Sequence, residues 1–124
     1  MTSYLIVDDN GPFLDAARGV LERQGATVVN GAATSAEAIR LAKQLRPDVI
    51  LVDIDLGGES GFDLAQRLAA EDSAPIVLIS AYPEGEFADL IAASPAAGFL
   101  PKSELSARAV SELLGRAGDG DEVQ

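Results

Sequence analysis

The sequence predicts an α/β domain, a doubly wound parallel sheet with helices on both faces. Strand-like apolar runs alternate with helical patterns five times along the chain, the signature of repeated βα units. Two of the runs, VILV (49–52) and IVLI (76–79), carry no polar alternation, as central strands covered on both faces should not. Four runs stop at a residue able to handle a phosphoryl group or a metal ion. YLIV (4–7) ends at Asp8 and Asp9, VILV at Asp53, IVLI at Ser80, and GFLP (98–101) at Lys102. In an open parallel sheet the carboxyl ends of neighbouring strands face one crevice, where ligands bind.

The elements follow in order. After YLIV, Asn10 can cap a helix with Pro12 in its first turn. Phe13, Leu14, Ala17, Val20 and Leu21 recur at helical spacing, and Gly25 is placed to end that helix. ATVV (26–29) reads as a second strand, ending at Asn30-Gly31. Thr34 and Glu37 form a capping-box pattern for a helix with Ile39, Leu41, Ala42 and Leu45 inward, stopped before Pro47. VILV leads into the Gly-rich loop LGGESG (56–61), then a helix lined by Phe62, Leu64, Ala65 and Leu68. After IVLI, residues 84–93 read as a weaker, Ala-rich helix. GFLP is a short fifth strand, and Ser103 can cap a last helix carrying Leu105, Ala109, Val110, Leu113 and Leu114 inward.

The chain has 124 residues, a one-domain length, and 48% hydrophobic residues, enough for a core. One domain over residues 1–117 is expected, with the polar, acidic stretch 118–124 as a flexible tail or the start of a linker. There is no cysteine and no histidine, so thiolate sites, the usual zinc ligands and the commonest general base are missing. Any metal should be a hard cation on carboxylates. The net charge of −11 argues against binding nucleic acid or an anionic membrane. No apolar stretch reaches the ~20 residues that span a bilayer, and the N-terminus has no signal-type pattern. A cytoplasmic location is the expectation.

Asp8, Asp9 and Asp53 belong together. Three carboxylates at adjacent strand ends repel one another without a cation, and an oxygen-only site suits Mg²⁺, which keeps waters for a phosphate-bearing partner. Asp53 could act as a nucleophile toward phosphorus, forming an acyl phosphate. A metal ion and Lys102 would neutralise charge on the phosphoryl oxygens, and Ser80 could donate a hydrogen bond to one of them. Ala81 is small enough to leave a path for the donor.

At these residues the sequence resembles the receiver domain of bacterial two-component response regulators, a CheY-like superfamily, over roughly residues 3–115. Five elements carry the resemblance: VDDN with Asp8 and Asp9, LVDIDL with Asp53, LISAY with Ser80, GFLPK with Lys102, and Phe99 three residues before that lysine. The resemblance implies a flavodoxin-like (βα)₅ three-layer sandwich with strand order 2-1-3-4-5. It implies Mg²⁺ held by Asp8, Asp9, Asp53 and the backbone carbonyl of Asp55, with Mn²⁺ or Ca²⁺ able to substitute in binding. Asp53 becomes the phospho-acceptor, fed by a histidine kinase or phosphotransfer protein, with Lys102 and Ser80 as its catalytic partners. The domain would catalyse its own phosphorylation and dephosphorylation without being an enzyme in the ordinary sense. Ser80 and Phe99 would then shift, changing the surface of the fourth helix, fifth strand and fifth helix (roughly 84–115), which addresses an output domain or protein and is also where a homodimer could form. The carboxylate of Asp55, two residues after the acceptor, could modulate how water reaches the acyl phosphate.

Two residues depart from the commoner pattern. Ser103 follows the lysine and Pro101 precedes it, as in the subgroup whose receivers precede a helix-turn-helix domain, and serine replaces threonine at position 80. Two other classes compete. A phosphatase of the haloacid dehalogenase type would use Asp53 and Asp55 as nucleophile and general acid. Against it, Gly57 stands where that motif prefers Thr or Val, the acidic pair precedes the nucleophile, and the chain lacks room for a cap domain. A receiver-like module that is never phosphorylated is the other alternative, opposed by the intact set of polar strand ends.

Overall fold

The computed structural model describes residues 2–119. Five parallel strands form one sheet in the order β2-β1-β3-β4-β5: β1 (Ser3–Val7), β2 (Thr27–Ala32), β3 (Val49–Asp53), β4 (Ile76–Ser80) and β5 (Gly98–Pro101). Between and after them run α1 (Gly11–Arg23), α2 (Ser35–Leu45), α3 (Gly61–Ala70), α4 (Ala88–Ala93) and α5 (Ala107–Asp119). Strand side chains alternate between two faces, and each face buries its own cluster. Tyr4, Ile6, Val49, Leu51, Val77, Ile79 and Leu100 pack toward Ala17, Leu21 and Val110 of α1 and α5. Leu5, Val7, Ile50, Val52, Leu78 and Phe99 pack toward Ala38, Leu41, Leu64 and Leu68 of α2 and α3. The three-layer sandwich follows from that division.

The starts of α1 and α2 answer to their caps. Asn10 Oδ1 accepts from the Phe13 amide at 3.0 Å, and Thr34 Oγ1 from the Glu37 amide at 3.2 Å. The returning Glu37 carboxylate takes the Ala33 amide at 2.9 Å, one residue earlier than the capping-box pattern places it. Gly25 has φ +90 just after α1, where only glycine is unstrained.

Several elements differ from the sequence expectation. β2 runs through Asn30-Gly31 to Ala32, because the register shifts between Tyr4 and Leu5 and Val29 bulges out, letting Asn30, Gly31 and Ala32 pair with Leu5, Ile6 and Val7. The stretch 84–93 is a 3-10 turn (Glu84–Phe87) followed by the short α4. No residue of either is fully buried, so little packing holds one continuous helix. After β5, Lys102–Glu104 forms a second 3-10 turn, and α5 is capped by Ser106, whose Oγ accepts from the Ala109 amide at 3.0 Å; Ser103 is not its cap. The apolar stripe of α2 ends at Ala42, and Leu45 is 38% exposed. α5 continues through Asp119; of the stretch expected to be a tail, residues 120–124 lie outside the described residues. Among the described residues no helix is long and apolar enough to cross a membrane.

Candidate functional site

The carboxyl ends of β1, β3, β4 and β5 open into one cleft of about 220 Å³, lined by Asp8, Asp9, Asn10, Asp53, Asp55, Gly57, Ser80, Ala81, Tyr82 and Lys102. All the site residues singled out in the sequence meet there except Phe99. β2, at the far edge from β5, contributes none of the lining. Larger cavities elsewhere, such as the one between α2 and α3, collect no comparable set of groups.

Asp8 is fully buried. Its Oδ1 accepts from the Asn10 amide at 2.9 Å, and Lys102 Nζ lies 2.7 Å from its Oδ2. That oxygen has the ion pair but no conventionally directed hydrogen bond. Asp53, the last residue of β3, accepts the Asp55 amide on Oδ1 at 3.1 Å and pairs through Oδ2 with Lys102 Nζ at 3.1 Å. Asp9 is exposed at the rim. Gly57 has φ +64, which favours glycine, and a Cβ there would push aside the exposed Asp9 carboxylate. The Asp55 carboxylate turns onto its own loop, accepting the Gly57 amide at 3.1 Å.

The loop between β3 and α3 is tied at both ends. Gly61 donates to the Ile54 carbonyl at 2.9 Å, and Leu56 to the Glu59 carbonyl at 3.0 Å. Glu59 reaches across to the first turn of α2, where its carboxylate accepts the Ser35 amide at 2.9 Å, a favourable place for negative charge. Sequence reading did not single out Glu59. Its only signal is a carboxylate in a loop rich in glycine, and nothing local points to a helix start 24 residues earlier in the chain.

Ser80 ends β4, buried, with its Oγ accepting the Tyr82 amide at 2.9 Å. Its hydroxyl proton is thereby turned away from that amide. Phe99, paired with Leu78, lies on the same face of the sheet as Ser80 but deeper, in the cluster under α3 and α4, where it is 6% exposed. Phe13 supplies what the helical spacing alone did not disclose: its ring faces Lys102 Nζ at 4.5 Å.

The charges do not balance locally. Burial is the largest influence on Asp53 and, with the nearby Asp8 charge, holds its carboxyl above the usual range, against the Asp55 amide and Lys102. Burial likewise works to lower the Lys102 pKa, but Asp8 and Asp53 outweigh it and the ammonium is stabilised. One cation serves two carboxylates, so the cation gains while the Asp53 carboxylate stays uncompensated. Oxygen atoms of Asp8, Asp9 and Asp53 lie within 4.8 Å of one another. This oxygen-only donor set with surplus negative charge, one of its buried oxygens short of a directed hydrogen bond, fits a hard divalent cation.

A carboxyl whose folded pKa is raised favours the fold most below its unfolded value, ~3.9 for Asp, and that contribution is lost as pH climbs through the folded value. Without divalent metal, Asp53→Asn is therefore expected to melt higher than the wild type at neutral pH. The difference should shrink toward the ordinary Asp range. Melting both proteins in chelator from about pH 4 to 8 checks this; parallel curves would contradict the raised Asp53.

Comparison with known proteins adds a family to this geometry. The response regulator receiver domain matches residues 4–113. The chain belongs to that family. Among curated relatives, the transcriptional regulatory protein YvrH of Bacillus subtilis is 37% identical over 64% of this chain and 33% of its own. This receiver spans roughly a fifth to half the length of the curated relatives it matches. Among solved structures, the signal receiver domain of a modulated diguanylate cyclase from Desulfovibrio desulfuricans superposes with TM-score 0.79 at 31% identity, covering 98% of this chain and 97% of that one. A response regulator from Burkholderia pseudomallei, solved with a phosphorylated aspartic acid, calcium ion and citrate, matches with TM-score 0.79 at 27% identity over 98% of this receiver and 72% of that chain. The order 2-1-3-4-5 is the one the resemblance implied. Membership in this family disfavours the phosphatase reading.

Proposed function

We propose that this receiver accepts a phosphoryl group on Asp53 from a histidine kinase or phosphotransfer protein. The observation that carries the reading is the convergence of Asp53 with two further carboxylates, Ser80 and an ammonium paired to both Asp8 and Asp53. An Asp53 carboxylate oxygen attacks phosphorus; the new P–O bond forms as the P–N bond to the donor imidazole breaks, and the imidazole leaves with its electron pair and takes up a proton. Lys102 stands where it can follow charge onto the phosphoryl oxygens. The Ser80 hydroxyl can donate to one of them, and exposed Ala81 leaves the approach open.

Asp8, Asp9, Asp53 and the Asp55 backbone carbonyl would hold Mg²⁺, with Mn²⁺ or Ca²⁺ able to replace it in binding; the Burkholderia relative solved with calcium supports a divalent site. When bound, the ion supplies charge neutralisation for the transferring group. Ser80 and Phe99 form the switch, and α4, β5 and α5 form the surface it changes, read by an output domain or protein and open to homodimer formation. The domain catalyses its own phosphorylation and dephosphorylation, acts in the cytoplasm, and does not itself bind nucleic acid or membrane. The receiver unit takes in all five strands and the helices through α5.

Intact-mass measurement with Mg²⁺ and a small acyl-phosphate donor is expected to show a gain of one phosphoryl group. Asp53→Asn should take up none. Labelling of that variant at the wild-type level would sink the assignment, and multiple turnover of a phosphate ester would revive the phosphatase.

A further inference from the structure

Phe13 lies on the inward side of α1 and packs against the apolar cluster on that face of the sheet. Its ring also closes a circuit through the cleft. Asp8 Oδ1 accepts from the Asn10 amide at 2.9 Å, and Asn10 Oδ1 accepts from the Phe13 amide at 3.0 Å. The Phe13 ring then faces Lys102 Nζ at 4.5 Å, and Nζ returns to Asp8 Oδ2 at 2.7 Å. We propose that Phe13 is a positioning residue, its ring face holding the Lys102 ammonium in the cleft beside Asp53. The role rests on the phospho-acceptor reading above.

The physical case starts from the lysine. Its side chain is 17% exposed, and its flexible four-carbon stem fixes no direction for the charge. The two carboxylates that attract it are the groups that a divalent cation and a phosphoryl group would also engage. A ring quadrupole carries no net charge and is not drawn into those events, so its attraction for the ammonium persists when Asp8 and Asp53 are occupied. The ring is itself located by the helix cap, because the amide bonded to Asn10 is that of Phe13. An aliphatic residue of similar size would fill the space but offer the ammonium no directed contact.

Lys43 and Lys102 are the only lysines in the sequence, and Lys43 sits in an exposed pair with Glu71 at 3.0 Å. Lysine-selective carbon labelling therefore gives Lys102 and an internal reference. The Lys102 terminal methylene protons are expected upfield from ring current, the Lys43 protons at ordinary positions. Phe13→Leu should remove the Lys102 shift and leave Lys43 unchanged. Replacing Phe13 by mono-, di- and trifluorophenylalanine keeps the shape while weakening the ring face. The phosphorylation rate with a small acyl-phosphate donor should fall stepwise, to about three- to tenfold slower for the trifluoro ring. Phe13→Tyr, which keeps the face, should retain the wild-type rate. Ordinary Lys102 shifts in the wild type, or a flat rate across the fluorinated series, would overturn the proposal. If the wild type takes up no phosphoryl group, the acceptor reading fails on its own, and the lysine spectrum still decides whether the ring holds the ammonium.

Discussion

Gly61→Ala is expected to destabilise the receiver by about 3 kcal/mol or more, the upper end of overpacking costs. A Cβ at this position would run into the backbone carbonyl of Asp53 and lie 2.7 Å from Ile54 Cα. Neither obstacle is a flexible side-chain tip. The Gly61 amide is also committed, donating to the Ile54 carbonyl at 2.9 Å, so α3 cannot drift away without breaking the contact that closes the loop. The damage falls on the residue proposed as acceptor, and phosphoryl uptake should fall with stability. Urea denaturation of the variant and of Gly11→Ala, a glycine of α1 with open space around its Cβ position, separates this clash from a general glycine effect. Equal midpoints for the two would contradict the close approach.

Lys102→Met is expected to cost about 3 kcal/mol at neutral pH without divalent metal, as breaking a buried ion pair does. The size follows from what remains: Asp8 with no exposed surface, Asp53 with a side chain 8% exposed, and no cation between them. Combining Lys102→Met with Asp8→Asn should recover part of the loss, because the stranded charge goes with it. Mg²⁺ should raise the melting temperature of the wild type as RT ln(1 + [L]/Kd) requires, and act on the Lys102→Met protein as well. Phosphoryl uptake by the variant should be strongly slowed even where the metal restores its stability. A melting temperature indifferent to the substitution, in chelator, would mean that the cleft does not depend on this ammonium.

The site was largely readable from sequence because its residues obey a rule of topology. An apolar run with no polar alternation is a central strand, and the residue that stops it stands at the sheet's carboxyl edge. Asp53 and Ser80 are of that kind; Lys102 follows the edge strand β5, where Pro101 still let the strand end as the lysine enters the cleft. What escaped depended on contacts with no local periodicity. Asn30-Gly31 looks like a turn, yet a bulge at Val29 keeps it in the ladder. Ser103 and Ser106 are both competent caps, and the 3-10 turn Lys102–Glu104, which takes in Ser103, decides in favour of the second. Helical spacing put Phe13 on the right face of α1, but only the folded chain brings Lys102 over its ring. Glu59 binds the start of α2 through a contact that no pattern of spacing encodes.

The thin attachment of α4 has an energetic consequence. From Ala81 to Ala93 only Phe87 and Ile91, one helical turn apart, pack against the core, while Tyr82 and Leu90 stay 56% and 54% exposed. Full burial of such side chains is worth about 1.5–3 kcal/mol each, and these two are only partly buried. Lifting or re-seating the segment therefore draws on a few kilocalories, far less than opening the sheet beneath it. Phe87 rests 6.3 Å from the ring of Phe62, two residues after the loop that carries Asp55 and Gly57 begins its return to α3. A change of one or two hydrogen bonds in the cleft is of the same size as the grip on α4, so this hinge of two side chains can answer a chemical event without the core being rebuilt.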